Sequence, residues 1–211
     1  RLPLRAPDGR LHLFCSSVRG GFHMMGVMLA AGGSLRWWRD TLGVKGLGGR
    51  EAYDLMCAPA ARVPAGAEGL TFLPYLTGER TPHADPYARG VFFGLSLRHT
   101  PAHMTRAVLE GVAYGMTDSL DLMRGMGAPA RRVRLSGGGA RSPLWCRIQA
   151  AQYRAPCATL TREEGPALGA AILAGIGTAV YSTYAATMRS CVAERSRYHP
   201  DAGWQRLYQD G

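Results

Sequence analysis

A chain of 211 residues, 46% hydrophobic and 19% charged, can build one large domain with a real core but not two full ones. Its net charge of +10 invites a nucleic-acid partner, yet Lys45 is the only lysine and the arginines are scattered from Arg1 to Arg206. The longest basic cluster is Arg131-Arg132-x-Arg134 and no aromatic-interleaved basic stripe accompanies it, so nucleic-acid binding is not expected.

The N-terminal stretch "LHLFCSSVRGGFHMMGVM" places apolar runs on either side of Gly20-Gly21, the pattern of a hairpin over about 11–28. "LAAGGSLRWWRDTLG" has helical spacing at Leu29, Leu35, Trp38 and Leu42, with Gly43 as its stop. Residues 50–57 predict another helix, Pro59–Gly69 a loop, "TFLPYL" a strand, Thr77–Arg89 a long loop and "GVFFGL" a short strand or turn. Over residues 100–126 a long helix is expected: Thr100 can cap, Pro101 suits the first helical position, and Met104, Val108, Val112 and Met116 repeat every four residues.

A strand at 131–135, with Val133 and Leu135 on one face, leads into three glycines, Gly137 to Gly139. Ser142 as cap and Pro143 at the first position then open a helix carrying Leu144, Trp145, Ile148 and Tyr153. The strand "CATLT" and a helix from Pro166 follow, so the second half reads β-α-β-α and favours parallel pairing. The uncharged run 165–188 is long enough to span a bilayer, but it is mostly Gly, Ala, Ser and Thr; a buried helix broken near Gly177 is expected, and no membrane partner. Five cysteines (15, 57, 146, 157, 191), odd in number and without C-x-x-C, read as buried reduced thiols of a cytoplasmic protein, and no secretory leader is expected.

The glycine turn has two readings. Glycines between a strand and a helix N-terminus can let a phosphate or nucleotide approach backbone N–H groups, or can serve packing alone. A P-loop is not matched, since the sole lysine sits in "LGVKGLGG". A dinucleotide fingerprint is met at Gly137 and Gly139 but has Ser142 at its sixth position, with Glu163 and Glu164 as the acidic residues ending the next strand. The six histidines show no metal spacing, and no G-x-S-x-G occurs.

Four ordered motifs carry a resemblance: "GLTFLPYLTGERTPHADPYARGVFFGL", "HMTRAVLEGVAYG", "LSGGGARSPLW" and "EEGPALGAAILAG". Gly90-x-Phe92-x-Gly94-Leu95, then seven residues, then His103-Met104-x-x-Ala107-Val108-Leu109-Glu110 fits the C-terminal signature of FGGY-family carbohydrate kinases at every position. From about Leu11 onward the chain resembles the C-terminal domain of that family, nearest its xylulokinases. The resemblance implies an α/β actin/hexokinase-type (ribonuclease H-like) ATPase domain, with a mixed sheet flanked by helices, the hairpin lying beside the strands at 131–135 and 157–161. It makes residues 1–211 the nucleotide-binding domain of a sugar kinase whose N-terminal sugar-binding domain is not in this chain.

By the same resemblance Gly138, Gly139, Ser142 and Pro143 line the site for ATP or ADP, taken with Mg2+, and Gly32 and Arg36 lie near the phosphates or base. Related glycerol kinases have asparagine at Pro143, and the relatives have glutamine at Arg36. No catalytic residue is assigned here: the general base is an aspartate in a Gly-Asp segment, expected upstream of Arg1, and no Gly-Asp occurs in the chain. The implied reaction is transfer of the γ-phosphoryl group of ATP to a sugar, D-xylulose first; ribulose, gluconate, fucose or glycerol kinases of the family and a non-catalytic nucleotide-binding domain remain alternatives. The sugar is the expected partner, and a homodimer is left open. Glu79, Arg80, His83, Asp85 and Arg89 in the 77–89 loop suit either a charged lip over the cleft or a salt-bridged packing loop, the second being preferred.

Overall fold

A computed structural model describes residues 8–42, 49–162 and 165–210. The expected stop at Gly43, the sole lysine and the acidic pair Glu163-Glu164 lie outside the described residues.

The hairpin forms as expected: β1 (His12–Cys15) pairs antiparallel with β2 (Phe22–Met25). Helix α1 (Ala31–Thr41) follows, then α2 (Gly49–Ala60). Strand β3 (Thr71–Leu73) pairs antiparallel with β4 (Val91–Phe93) across the long loop. The central element is α3 (Pro101–Gly125), with Thr100 as N-cap, Pro101 at its first position, and Val108 and Val112 fully buried. Packed around it are α1, α2, β3 and α4 (Pro143–Tyr153). Leu35 and Trp38 of α1, Met56 of α2, Phe72 of β3 and Trp145 and Ile148 of α4 close one core on Val108, Leu109 and Val112. At about 25 cal/mol per Å2 of apolar surface, each such side chain contributes roughly 1.5–3 kcal/mol.

Strands β5 (Val133–Leu135) and β6 (Cys157–Leu160) are parallel, joined through α4, as the β-α-β reading requires. A third strand, β7 (Glu194–Tyr198), adds antiparallel to β6, so the sheet is mixed. The hairpin does not extend it: β1-β2 and β3-β4 are separate two-stranded sheets, which corrects the expected arrangement. The reason lies between them: Gly26, straight after β2, packs on Thr81, Leu11 and Met123, so the chain turns onto α3 and the 77–89 loop rather than running beside β5.

The uncharged run divides into α5 (Gly165–Gly177) and α6 (Tyr184–Cys191), broken at Gly177 as expected. It is not the buried helix anticipated, because Ile172 is the one buried residue described in α5. No helix of the described residues is long and apolar enough to cross a membrane. The cysteines are all free, but burial holds only for Cys146 and Cys157; Cys15, on the hairpin, is exposed and Cys57 and Cys191 are half-buried.

The last helix, α7 (Ala202–Asp210), returns to α3 and α4. Tyr208 Oη donates to Glu110 Oε1 at 2.6 Å, and Arg106 Nε reaches the same oxygen at 2.5 Å. The Arg106 guanidinium lies 4.5 Å from the Trp204 ring centre, and that of Arg147 lies 4.7 Å from it. A buried charge needs such partners, and here both ions and the phenol satisfy one another.

Candidate functional site

The glycine turn is built from the strand outward. Leu135 is buried, Gly137 takes φ +76°, and Gly138–Arg141 form a short 3-10 turn ending at Ser142. Ser142 Oγ accepts from Trp145 N at 3.3 Å, the N-cap expected of it, and Pro143 follows at the first helical position. Positive φ is therefore needed only at Gly137, where glycine bears it without strain. Gly139 has a different reason: a Cβ there would lie 2.6 Å from Trp145 Cζ3. Gly138 has neither reason, for a Cβ on it would meet no described atom within 4 Å.

Gly138, Gly139, Arg141, Ser142 and Trp145 form one wall of a cavity of about 480 Å3. The opposite wall is the N-terminal half of α1, with Gly32, Gly33, Leu35 and Arg36. Of the six residues singled out in the sequence, five thus meet in one space; Pro143 stands just outside its lining. Gly32 and Gly33 repeat the observation made at Gly138, since a Cβ on either would meet nothing within 4 Å. Both stand in the first turn of α1, where glycine still gives up more backbone freedom than alanine. No described contact calls for two of them here.

The third wall was not anticipated. Gly49, Arg50, Tyr53, Asp54 and Cys57 of α2 complete the cavity. Their i, i+3, i+4, i+7 spacing was the available signal, because it places Arg50, Tyr53, Asp54 and Cys57 on one helical face. Arg50 Nε lies 3.5 Å from Asp54 Oδ2, and Tyr53 Oη accepts from Arg39 at 3.2 Å. Burial pushes the Cys57 thiol up, and a hydrogen bond with Ser142 partly opposes it. Among the described lining residues Arg36, Arg50 and Arg141 outnumber the one carboxylate, Asp54, a balance that suits a phosphorylated ligand. Among the described residues no group of three or more His, Cys, Asp or Glu side chains gathers to hold a metal ion.

The profile of the FGGY family of carbohydrate kinases, C-terminal domain, matches residues 1–178. The chain belongs to the FGGY family. A xylulose kinase of Staphylococcus epidermidis is 39% identical over 202 residues, 96% of this chain and 40% of that protein. A gluconokinase of Bacillus subtilis is 36% identical over 173 residues, 79% of this chain and 34% of that protein. The crystal structure of xylulose kinase from Rhodospirillum rubrum superposes with a TM-score of 0.83 at 36% identity, covering 96% of this chain and 41% of that one. The chain therefore spans about 40% of the length of the xylulose kinases it matches. Within the FGGY match fall the glycine turn and both helices facing it; β7 and α7 lie beyond residue 178.

The 77–89 loop is not salt-bridged in the way preferred above. Among the described residues no ion pair joins Glu79, Arg80, His83, Asp85 and Arg89. His83 Nε2 meets Tyr75 Oη at 2.9 Å, Asp85 Oδ1 accepts from Tyr87 N at 2.8 Å, and Arg89 donates to the carbonyls of Pro86 and Ala88. Glu79 is buried and turned inward.

Proposed function

We propose that this chain is the nucleotide-binding half of an ATP-dependent sugar kinase, with D-xylulose as the acceptor of the γ-phosphoryl group. The observation that carries the nucleotide reading is the convergence of Gly32 and Gly138 on one electropositive cavity, both without Cβ where no described residue opposes one. Backbone N–H groups at the open N-terminus of α1 and along the glycine turn attract phosphate oxygens, and the missing Cβ atoms let them come close. Arg36 and Arg141 add positive charge on either wall, and Ser142 holds the turn to α4.

Phosphoryl transfer depends on positioning and charge stabilisation, with a base to orient the attacking hydroxyl and a divalent ion on the phosphates. In this reading a second, sugar-binding domain supplies the base, since Asp54, the one carboxylate among the described lining residues, lies against Arg50. The ion, Mg2+, travels with the nucleotide phosphates, and no described residue is assigned to it. The free cysteines suit the cytoplasm, where small sugars are phosphorylated with ATP.

The choice of xylulose rests on the 39% identity to a xylulose kinase, and gluconate follows from the 36% identity to a gluconokinase. A coupled assay of the full-length kinase against xylulose, ribulose, gluconate, fucose and glycerol decides between them. Turnover is expected to be fastest on D-xylulose; a preference for gluconate or glycerol would overturn that choice.

A further inference from the structure

The segment between β2 and α1, residues 26–30, delivers Gly32 and Arg36 to the cavity wall. Met28 packs on the core and Ala30 is buried, while the backbone of the segment is bonded from the 77–89 loop. Thr81 Oγ1 accepts from Val27 N at 3.0 Å, and Thr81 N donates to the Val27 carbonyl at 3.0 Å. Glu79 Oε1 accepts from Leu29 N at 3.0 Å, and from Arg80 N at 2.7 Å. Thr81 Oγ1 also donates to the Arg10 carbonyl at 2.6 Å, tying in the chain ahead of the hairpin. Both side chains are buried, Glu79 at 2% exposure and Thr81 at 0%.

We propose that Glu79 and Thr81 are positioning residues for the nucleotide site, acting through the 26–30 segment to set the first turn of α1 against the glycine turn. Three observations carry it. The two residues satisfy alternate backbone groups of the segment, Val27 and Leu29, so they fix its direction as well as its location. Gly26 admits the close approach, since a Cβ there would lie 3.2 Å from Thr81 Cγ2. Finally, Glu79 buries a carboxylate whose Oε2 finds no hydrogen-bond partner among the described residues. Such a group is costly to keep, and a plain packing loop has no need of one. The inference rests on the nucleotide reading of the cavity, where a displacement of 1 Å matters.

The test uses the 211-residue chain, 15N-labelled, with Thr81→Val, Thr81→Ser and Glu79→Gln. Thermal melts, ADP affinity by calorimetry and the amide resonances of Gly32 and Gly33 are recorded for each. Thr81→Val and Glu79→Gln should shift both glycine resonances and raise the ADP dissociation constant of the folded protein about tenfold, while Thr81→Ser restores both. Variants that melt earlier yet keep wild-type Gly32 and Gly33 resonances and wild-type ADP affinity overturn the proposal. Should Thr81→Val fail to fold, the isosteric Glu79→Gln carries the comparison. If the wild-type chain binds no ADP, the nucleotide reading fails by itself, and the glycine resonances still decide whether Glu79 and Thr81 place α1.

Discussion

The indole of Trp145 occupies the space that a side chain on Gly139 would need, with Cζ3 2.6 Å from an ideal Cβ. Trp145 is itself fixed, donating from Nε1 to the Leu109 carbonyl at 3.0 Å and from its backbone N to Ser142 Oγ. The glycine turn is thereby keyed to α3 and α4. Gly139→Ala should push the indole from its seat and destabilise the fold by roughly 1–3 kcal/mol, read as a lowered Tm. An unchanged Tm would show that the indole moves aside freely.

Burial makes Arg106 and Glu110 a second testable pair. Arg106→Met leaves the Glu110 carboxylate buried with only Tyr208 Oη and Gly66 N as partners, and is expected to cost about 3–5 kcal/mol in chemical denaturation. Replacing both, with Arg106→Met and Glu110→Leu, removes the stranded charge and should recover part of the loss. A double variant as unstable as the sum of the singles would argue against a coupled pair.

Alkaline stability follows from the thiols of Cys146 and Cys157, pushed up by burial to about 11 and about 12. Their folded values exceed the ordinary thiol value of 9.0, so their contribution is intact below pH 9 and is lost as pH rises through about 11 to 12. Stability should fall over that window by roughly a few kcal/mol, and Cys146→Ala should flatten the fall. An equally steep fall in Cys146→Ala would assign it elsewhere, the buried tyrosines Tyr153 and Tyr208 being the next candidates.

Cys57 reports on the cavity directly. With Cys15→Ser and Cys191→Ser removing the exposed thiol and the other half-buried one, alkylation of Cys57 should be slow at neutral pH, because burial holds its thiol up, and faster as pH rises past 9. ADP should slow it severalfold at fixed pH. Alkylation indifferent to saturating ADP would remove α2 from the nucleotide site.

Periodicity and caps made much of this fold legible: α3 begins at Pro101 with Thr100 capping it, and Ser142-Pro143 open α4. β7 was not legible, because Glu-Arg-Ser-Arg-Tyr carries one apolar side chain and owes its strand state to the neighbouring β6. The separation of the hairpin from the main sheet was hidden likewise, since which strands pair is set by long-range packing and not by local pattern. Within the site, the resemblance pointed to five lining residues, but it could not tell why each glycine is glycine. Conformation explains Gly137, a neighbouring indole explains Gly139, and open space remains at Gly32 and Gly138.

That open space is where the account is tested most directly. ADP is titrated calorimetrically into the 211-residue chain and into Gly138→Val, with a thermal melt of each. Since a Cβ at Gly138 meets no described atom within 4 Å, the variant should keep the wild-type Tm. Its methyls would stand in the path of the nucleotide, so the dissociation constant for ADP should rise about tenfold or more. A wild-type chain that binds no ADP, or a Gly138→Val variant that binds it with unaltered affinity, would contradict a nucleotide seated against the glycine turn.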